Sequence, residues 1–132
     1  MLLFIDTSDF NNLHLALIDN KKSELSVAEF RASVAFNENY KTNALLEKFL
    51  IKQKVKLKNL SKIVVCSGPG SFTGIRVGVS LAQALSFALS IPMIAIPKSK
   101  IPKDLTLLLK TKAAATSSLN YGQKPNISKP KK

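Results

Sequence analysis

Cys66-Ser67-Gly68-Pro69-Gly70-Ser71-Phe72-Thr73-Gly74-Ile75-Arg76-Val77-Gly78 is the most informative stretch of this chain. It follows the apolar run Lys62-Ile-Val-Val-Cys66 and opens a long apolar stretch, so it reads as a strand, a loop made largely of backbone, and a helix. Gly68, Pro69 and Gly70 set an unusual turn, because glycine permits positive φ or close main-chain approach and proline fixes φ and removes a donor. Such turns suit the carboxyl end of a parallel strand, where α/β proteins place binding loops.

None of the generic loop chemistries fits. A Walker loop needs lysine after its last glycine, and Gly74 is followed by Ile75 and Arg76. A dinucleotide fingerprint needs its third glycine three residues after the second and an acid roughly 20 residues further on. Here Gly70 and Gly74 are four apart, and the next acid is Asp104. A nucleophile elbow would put glycine on both sides of Ser71, where Pro69 and Thr73 stand.

Working outward, Leu2 to Thr7 reads as a buried strand, and Leu13 to Ile18 as a second strand after the turn residues Asp9-Phe-Asn-Asn12. Asp19-Asn20-Lys21-Lys22 predicts another turn, and residues 24–31 alternate as a third strand. From Thr42 the period becomes helical, with Leu46, Phe49, Leu50 and Gln53 on one face and Glu47, Lys48 and Lys52 opposite. A second helix is expected from about Thr73 to Leu89, stopped by Pro92, with Met93–Ile96 as a fifth strand. Residues 103–116 contain a short apolar cluster that suggests one more amphipathic helix closing the sheet.

Ser67-Gly-Pro-Gly-Ser-Phe-Thr-Gly-Ile-Arg-Val-Gly78 resembles the signature of the TsaB family, non-catalytic paralogues of TsaD in the making of N6-threonylcarbamoyladenosine on tRNA. Leu2-Leu3-Phe4-Ile5-Asp6-Thr7-Ser8 resembles the same family's first strand and Asp-Thr-Ser turn, within the actin-like and sugar-kinase-like ATPase superfamily. The resemblance covers residues 1–97 and implies one ribonuclease-H-like α/β lobe, β-β-β-α-β-α-β, with a mixed sheet flanked by helices. Residues 98–132 then form a basic tail, with the helix at 103–116 and disorder beyond it. Members of the family usually carry two such lobes, and 132 residues suffice for one core of ordinary size.

The resemblance implies an adaptor without catalytic residues that binds a TsaD-like catalytic subunit, or a second copy of itself. It would thereby support threonylcarbamoyl transfer to A37 of ANN-decoding tRNAs. Gly68, Pro69, Gly70, Ser71, Phe72, Thr73, Gly74, Arg76 and Gly78 form the signature loop; Leu46, Phe49, Leu50, Ile75, Arg76, Gly78 and Ala82 are the candidate partner contacts. The small residues of the second helix suit either packing on the sheet or close approach of a partner helix. On the interface reading, Gly78→Leu abolishes partner binding and leaves the monomer folded.

Asp6, Thr7 and Ser8 stand where nucleotide-binding relatives hold phosphate and magnesium, which makes them a vestigial nucleotide turn or, for Asp6, a turn-ordering residue. ATP in the superfamily lies between two lobes, so no cofactor is expected for this chain, and any ATP belongs to the partner or the complex interface. TsaD-type enzymes use paired histidines for metal, whereas this chain has only His14, and no metal site is expected. A small ATP-binding or glycoprotease-like enzyme and an inactive truncated member are the alternatives.

Net charge is +12, and nine lysines against one acid from Lys98 onward carry +8 of it. The tail is either a solvated end or a weak, salt-sensitive attraction, through residues 113–132, for tRNA phosphates or an acidic partner surface. A single cysteine, Cys66, cannot form an internal disulfide, and its place at the end of an apolar strand predicts a buried thiol. Asp6 interrupts the first apolar run after five residues, unlike a signal peptide, and no run of about 20 apolar residues spans a membrane, so a cytoplasmic protein is expected.

Overall fold

A computed structural model describes residues 1–9, 12–21, 24–33 and 40–111. The strands are β1 (Leu2–Asp6), β2 (Asn12–Lys21), β3 (Glu24–Ser33), β4 (Lys62–Cys66) and β5 (Met93–Ile96); the helices are α1 (Tyr40–Lys52) and α2 (Phe72–Leu89). They form one mixed sheet in the order β3-β2-β1-β4-β5. β1 pairs antiparallel with β2, opposing Asp6 to His14, and parallel with β4, opposing Leu2 to Lys62. This is the mixed α/β sheet of the ribonuclease-H-like, actin-like lobe.

Alternation along the central strands fills two cores. Leu3 and Ile5 of β1 and Ile63 and Val65 of β4 face the two helices, packing with Leu46, Phe49 and Leu50 of α1 and Ile75, Val79 and Ala82 of α2. Leu2, Phe4, Val64, Ile94 and Ile96 face the other way. Strands apolar on both faces are what a sheet covered on both sides requires.

The cover of the second face comes from residues past 97. After short 3₁₀ turns at Lys98–Lys100 and Leu105–Lys110, Leu105 and Leu108 are buried against Phe4, Ile18 and Ile96, with Ile101 and Leu109 beside them. Asp104 caps the second turn, its carboxylate accepting from Thr106 N at 3.1 Å and Thr106 Oγ1 at 2.6 Å. The packed unit therefore extends beyond the boundary at 97 drawn from sequence. Its cover is a 3₁₀ turn in the place where an α-helix was expected; the rest of that helix and the lysine tail lie outside the described residues.

Two boundaries move for local reasons. β2 continues through Asp19-Asn20-Lys21, because pairing with β3 (Asn20 to Leu25, Lys21 to Glu24) outweighs the turn preference of Asp and Asn. α1 ends at Lys52, leaving Gln53 exposed in the following turn and off the buried stripe. α2 is long and apolar enough to cross a membrane by length and composition, alone among the described helices. In this fold its inner stripe, Gly74, Ile75, Gly78, Val79 and Ala82, is core.

Candidate functional site: the glycine loop and the outer face of the helices

β1 ends in the turn Asp6-Thr7-Ser8, at the carboxyl edge of the parallel strands. Asp6 Oδ1 accepts from Ser8 N at 2.9 Å and from Ser8 Oγ at 2.7 Å, so the carboxylate orders the turn. Ser8 Oγ in turn accepts from the Lys98 ammonium at 2.8 Å, which completes a relay from lysine through hydroxyl to carboxylate. Lys98 is held there by its own N–H, which donates to Gly68 O at 2.8 Å.

The glycine loop closes on this turn. Gly68 has a φ of 97°, a conformation open to glycine, and its peptide to Pro69 is cis. Ser71 N donates to Ser8 O at 2.8 Å, and Ser71 Oγ caps α2 by accepting from Gly74 N at 3.0 Å. The remaining glycines are fixed by contact. A Cβ on Gly70 would stand 2.4 Å from Ser8 O, one on Gly74 2.1 Å from Thr7 O, and one on Gly78 2.3 Å from Thr7 Oγ1. Thr7 is fully buried and its hydroxyl donates to Gly74 O in a short hydrogen bond. The glycine spacing of four therefore brings α2 down onto the β1 turn.

Cys66 lies buried beneath the same edge, where desolvation, with a smaller contribution from the Asp6 carboxylate, pushes its thiol pKa up. A protonated, buried thiol is a poor nucleophile. His14 sits on the second face, its ring edge against Phe4 with centroids 5.4 Å apart, and its Nε2 lies 2.8 Å from Glu29 Oε1. That contact and, less strongly, Arg31 hold the Glu29 carboxyl below its ordinary pKa. Among the described residues no three of His, Cys, Asp and Glu stand together as metal ligands would.

The candidate partner contacts read from sequence separate sharply. Leu46, Phe49, Leu50, Ile75, Gly78 and Ala82 are buried within the chain's own core, whereas Arg76 is exposed. The apolar stripe of each helix is used by the sheet, so those six cannot meet a partner without unfolding. The Gly78→Leu expectation fails with them, since even a methyl at 78 collides with Thr7. What α2 turns outward is a second surface, missed in the sequence although it is legible as the complementary positions. Between the helices lies a groove of about 680 Å³ lined by Asn43, Phe72, Arg76, Val77, Leu81 and Ala84. The Arg76 guanidinium lies over the Phe72 ring at 5.3 Å, and Phe87, near the end of α2, is 88% exposed.

Sheet order and the closed β1 turn define the class: one lobe of the ribonuclease-H-like, actin-like ATPase fold. A family model described as "TsaD: tRNA N6-adenosine threonylcarbamoyltransferase" matches residues 32–101, and the chain belongs to that family. Within it the resemblance is to the TsaB type. The chain is 36% identical over 95 residues to "tRNA threonylcarbamoyladenosine biosynthesis protein TsaB" of Bacillus subtilis, covering 72% of this chain and 40% of that protein. It is 36% identical over 87 residues to the protein so named from Buchnera aphidicola subsp. Schizaphis graminum, covering 60% of this chain and 41% of that protein. Among solved structures, "YeaZ from Pseudomonas aeruginosa" superposes with a TM-score of 0.63 at 26% identity, covering 73% of this chain and 43% of that one. The chain thus spans about two-fifths of the length of these relatives.

Proposed function

We propose that the chain belongs to an accessory subunit of the TsaB type. It docks through the outer face of α1 and α2 onto a TsaD-like catalytic subunit and so supports threonylcarbamoyl transfer to A37 of tRNA. Homodimerisation would use the same face. The observation that carries this reading is α2 itself: one stripe is buried on the sheet, while Phe72, Ala84 and the half-buried Val77 and Leu81 line a groove outside it, and Phe87 stands exposed further along. A helix apolar on both sides is one that is covered on both sides.

The carboxyl-edge turn supports a non-catalytic role. Residues fit to hold magnesium and phosphate would leave carboxylate and hydroxyls free to face a ligand. Here the Thr7 hydroxyl is spent on Gly74 O, Ser8 is held between Asp6 and Lys98, and Gly70 backbone covers Ser8. These residues do not fit a metal-bound triphosphate, and we assign any nucleotide to the partner. In this reading the protein works in the cytoplasm.

Co-expression with the TsaD-type protein of the same organism, followed by sizing and a tRNA modification assay with all components, tests the reading. A stable complex with raised modification is expected. Ala84→Arg, on the outer face, is expected to abolish the complex without lowering the melting temperature. A folded wild-type chain that forms no complex would overturn the proposal.

A further inference from the structure

The amino end of the parallel strands is built differently from the glycine-loop end. α1 runs out at Lys52, and the chain turns back through Lys54 at a φ of 59°, with Val55 N donating to Leu50 O at 2.9 Å and Lys54 N to Ile51 O at 3.0 Å. Lys56 N then donates to Asn59 Oδ1 at 2.9 Å and opens the short turn Leu57–Asn59. This fixed loop holds Lys52, Lys54, Lys56 and Lys58 exposed, and none of the four ammonium groups has a side-chain partner among the described residues. No acid occurs between Glu47 and Asp104.

Lys62, at the start of β4, is used differently. Its ammonium donates to Leu109 O at 3.2 Å and Thr111 O at 2.6 Å, which pins the end of the last 3₁₀ turn, and the exposed Lys110, beside the start of β4. Burial lowers the Lys62 pKa, as expected of a buttress.

Fold stability accounts for little of this charge. The helix dipole favours a cation in the last turn, which covers Lys52 but fades beyond it. Lys54 occupies a left-handed position where glycine is preferred, and unpaired like charges so close together repel. A polyanion bound from outside does account for them.

We propose that the end of α1 and the loop after it, carrying Lys52, Lys54, Lys56 and Lys58, bind the phosphodiester backbone of a structured RNA and position it without reading sequence. The choice of RNA over other polyanions rests on the tRNA-modification reading above; the charge geometry does not. The surface lies at the opposite end of the strands from the glycine loop.

The test is fluorescence anisotropy of the full chain with a labelled unmodified tRNA transcript across a salt series. The Lys54→Gln/Lys56→Gln/Lys58→Gln variant is expected to lower the slope of log affinity against log salt by about 2–3, roughly one for each phosphate that is no longer neutralised. Arginine at the three positions is expected to restore it. Lys129→Gln/Lys131→Gln/Lys132→Gln should keep the wild-type slope. An unchanged slope in the loop variant, or a reduced slope in the tail variant alone, would overturn the proposal. So would loop-dependent binding to vesicles of equal phosphatidylglycerol and phosphatidylcholine with none to the transcript. If circular dichroism shows the triple variant unfolded, Lys52→Gln/Lys58→Gln, which spares both the left-handed turn and the Asn59 cap, takes its place. RNA affinity of the isolated chain and complex formation with the TsaD-type protein are read separately, so failure of one is distinguishable from failure of the other.

Discussion

The two ends of β1 differ in what limits them. At the carboxyl end the Thr7-Ser8 turn is packed against Gly70, Gly74 and Gly78 so closely that no methyl fits. At the amino end four lysines stand exposed at the end of α1 and in the loop after it, which backbone hydrogen bonds, Asn59 and the packing of Val55 and Leu60 hold in place. One end is specified by volume and the other by charge. Residues that bear a family signature can therefore serve packing, while the residues free to meet a partner lie outside it.

The largest expected effect lies at the packed end. Gly74→Ala places its methyl against the Thr7 backbone carbonyl, which cannot rotate away, and is expected to cost about 4 kcal/mol or more. Failure to fold, or loss of the denaturation transition, would show it. Wild-type stability in this variant would break the contrast.

On the face of the sheet opposite the helices, Leu108→Ala is expected to cost about 2–4 kcal/mol in urea unfolding, since Leu108 is 1% exposed. Ser8→Ala, which breaks the relay between Lys98 and Asp6, is expected to cost about 1–2 kcal/mol by the same measurement. At the charged end the sign reverses. Lys54→Gly relieves a left-handed φ and is expected to stabilise by up to about 1 kcal/mol while weakening RNA binding.

The smallest effect is on pH dependence. The Glu29 carboxyl, with its pKa held down chiefly by His14, adds stability that is complete above its ordinary titration range and is lost as pH falls below it. The side chain is 44% exposed, so solvent screening keeps the contribution to a few tenths of a kcal/mol. Glu29→Gln should flatten the acid limb of the stability curve by that amount.

Much of the fold was legible because each element keeps its own period: alternation in β1 and β4, the spacing of Leu46, Phe49 and Leu50, and the glycine loop between strand and helix. Three things were not legible, each because it depends on long-range placement. The spacing of Gly74 and Gly78 announces a close approach but not its object, which is Thr7, far off in sequence and beside them in space. The apolar stripes of α1 and α2 look alike whether they face a sheet or a partner, so residues of the core were expected at an interface. The cover over Phe4 and Ile94 is a 3₁₀ turn, whose period gives Leu105 and Leu108 no helical signature.

The signature glycines pack α2 onto the β1 turn. Equilibrium unfolding of Gly78→Ala in wild-type and Thr7→Ala backgrounds tests this packing most directly. A destabilisation of about 2 kcal/mol is expected in the wild-type background and should largely disappear when the Thr7 hydroxyl is gone, a coupling expected of touching groups. A Gly78→Ala protein as stable as wild type in both backgrounds would contradict it.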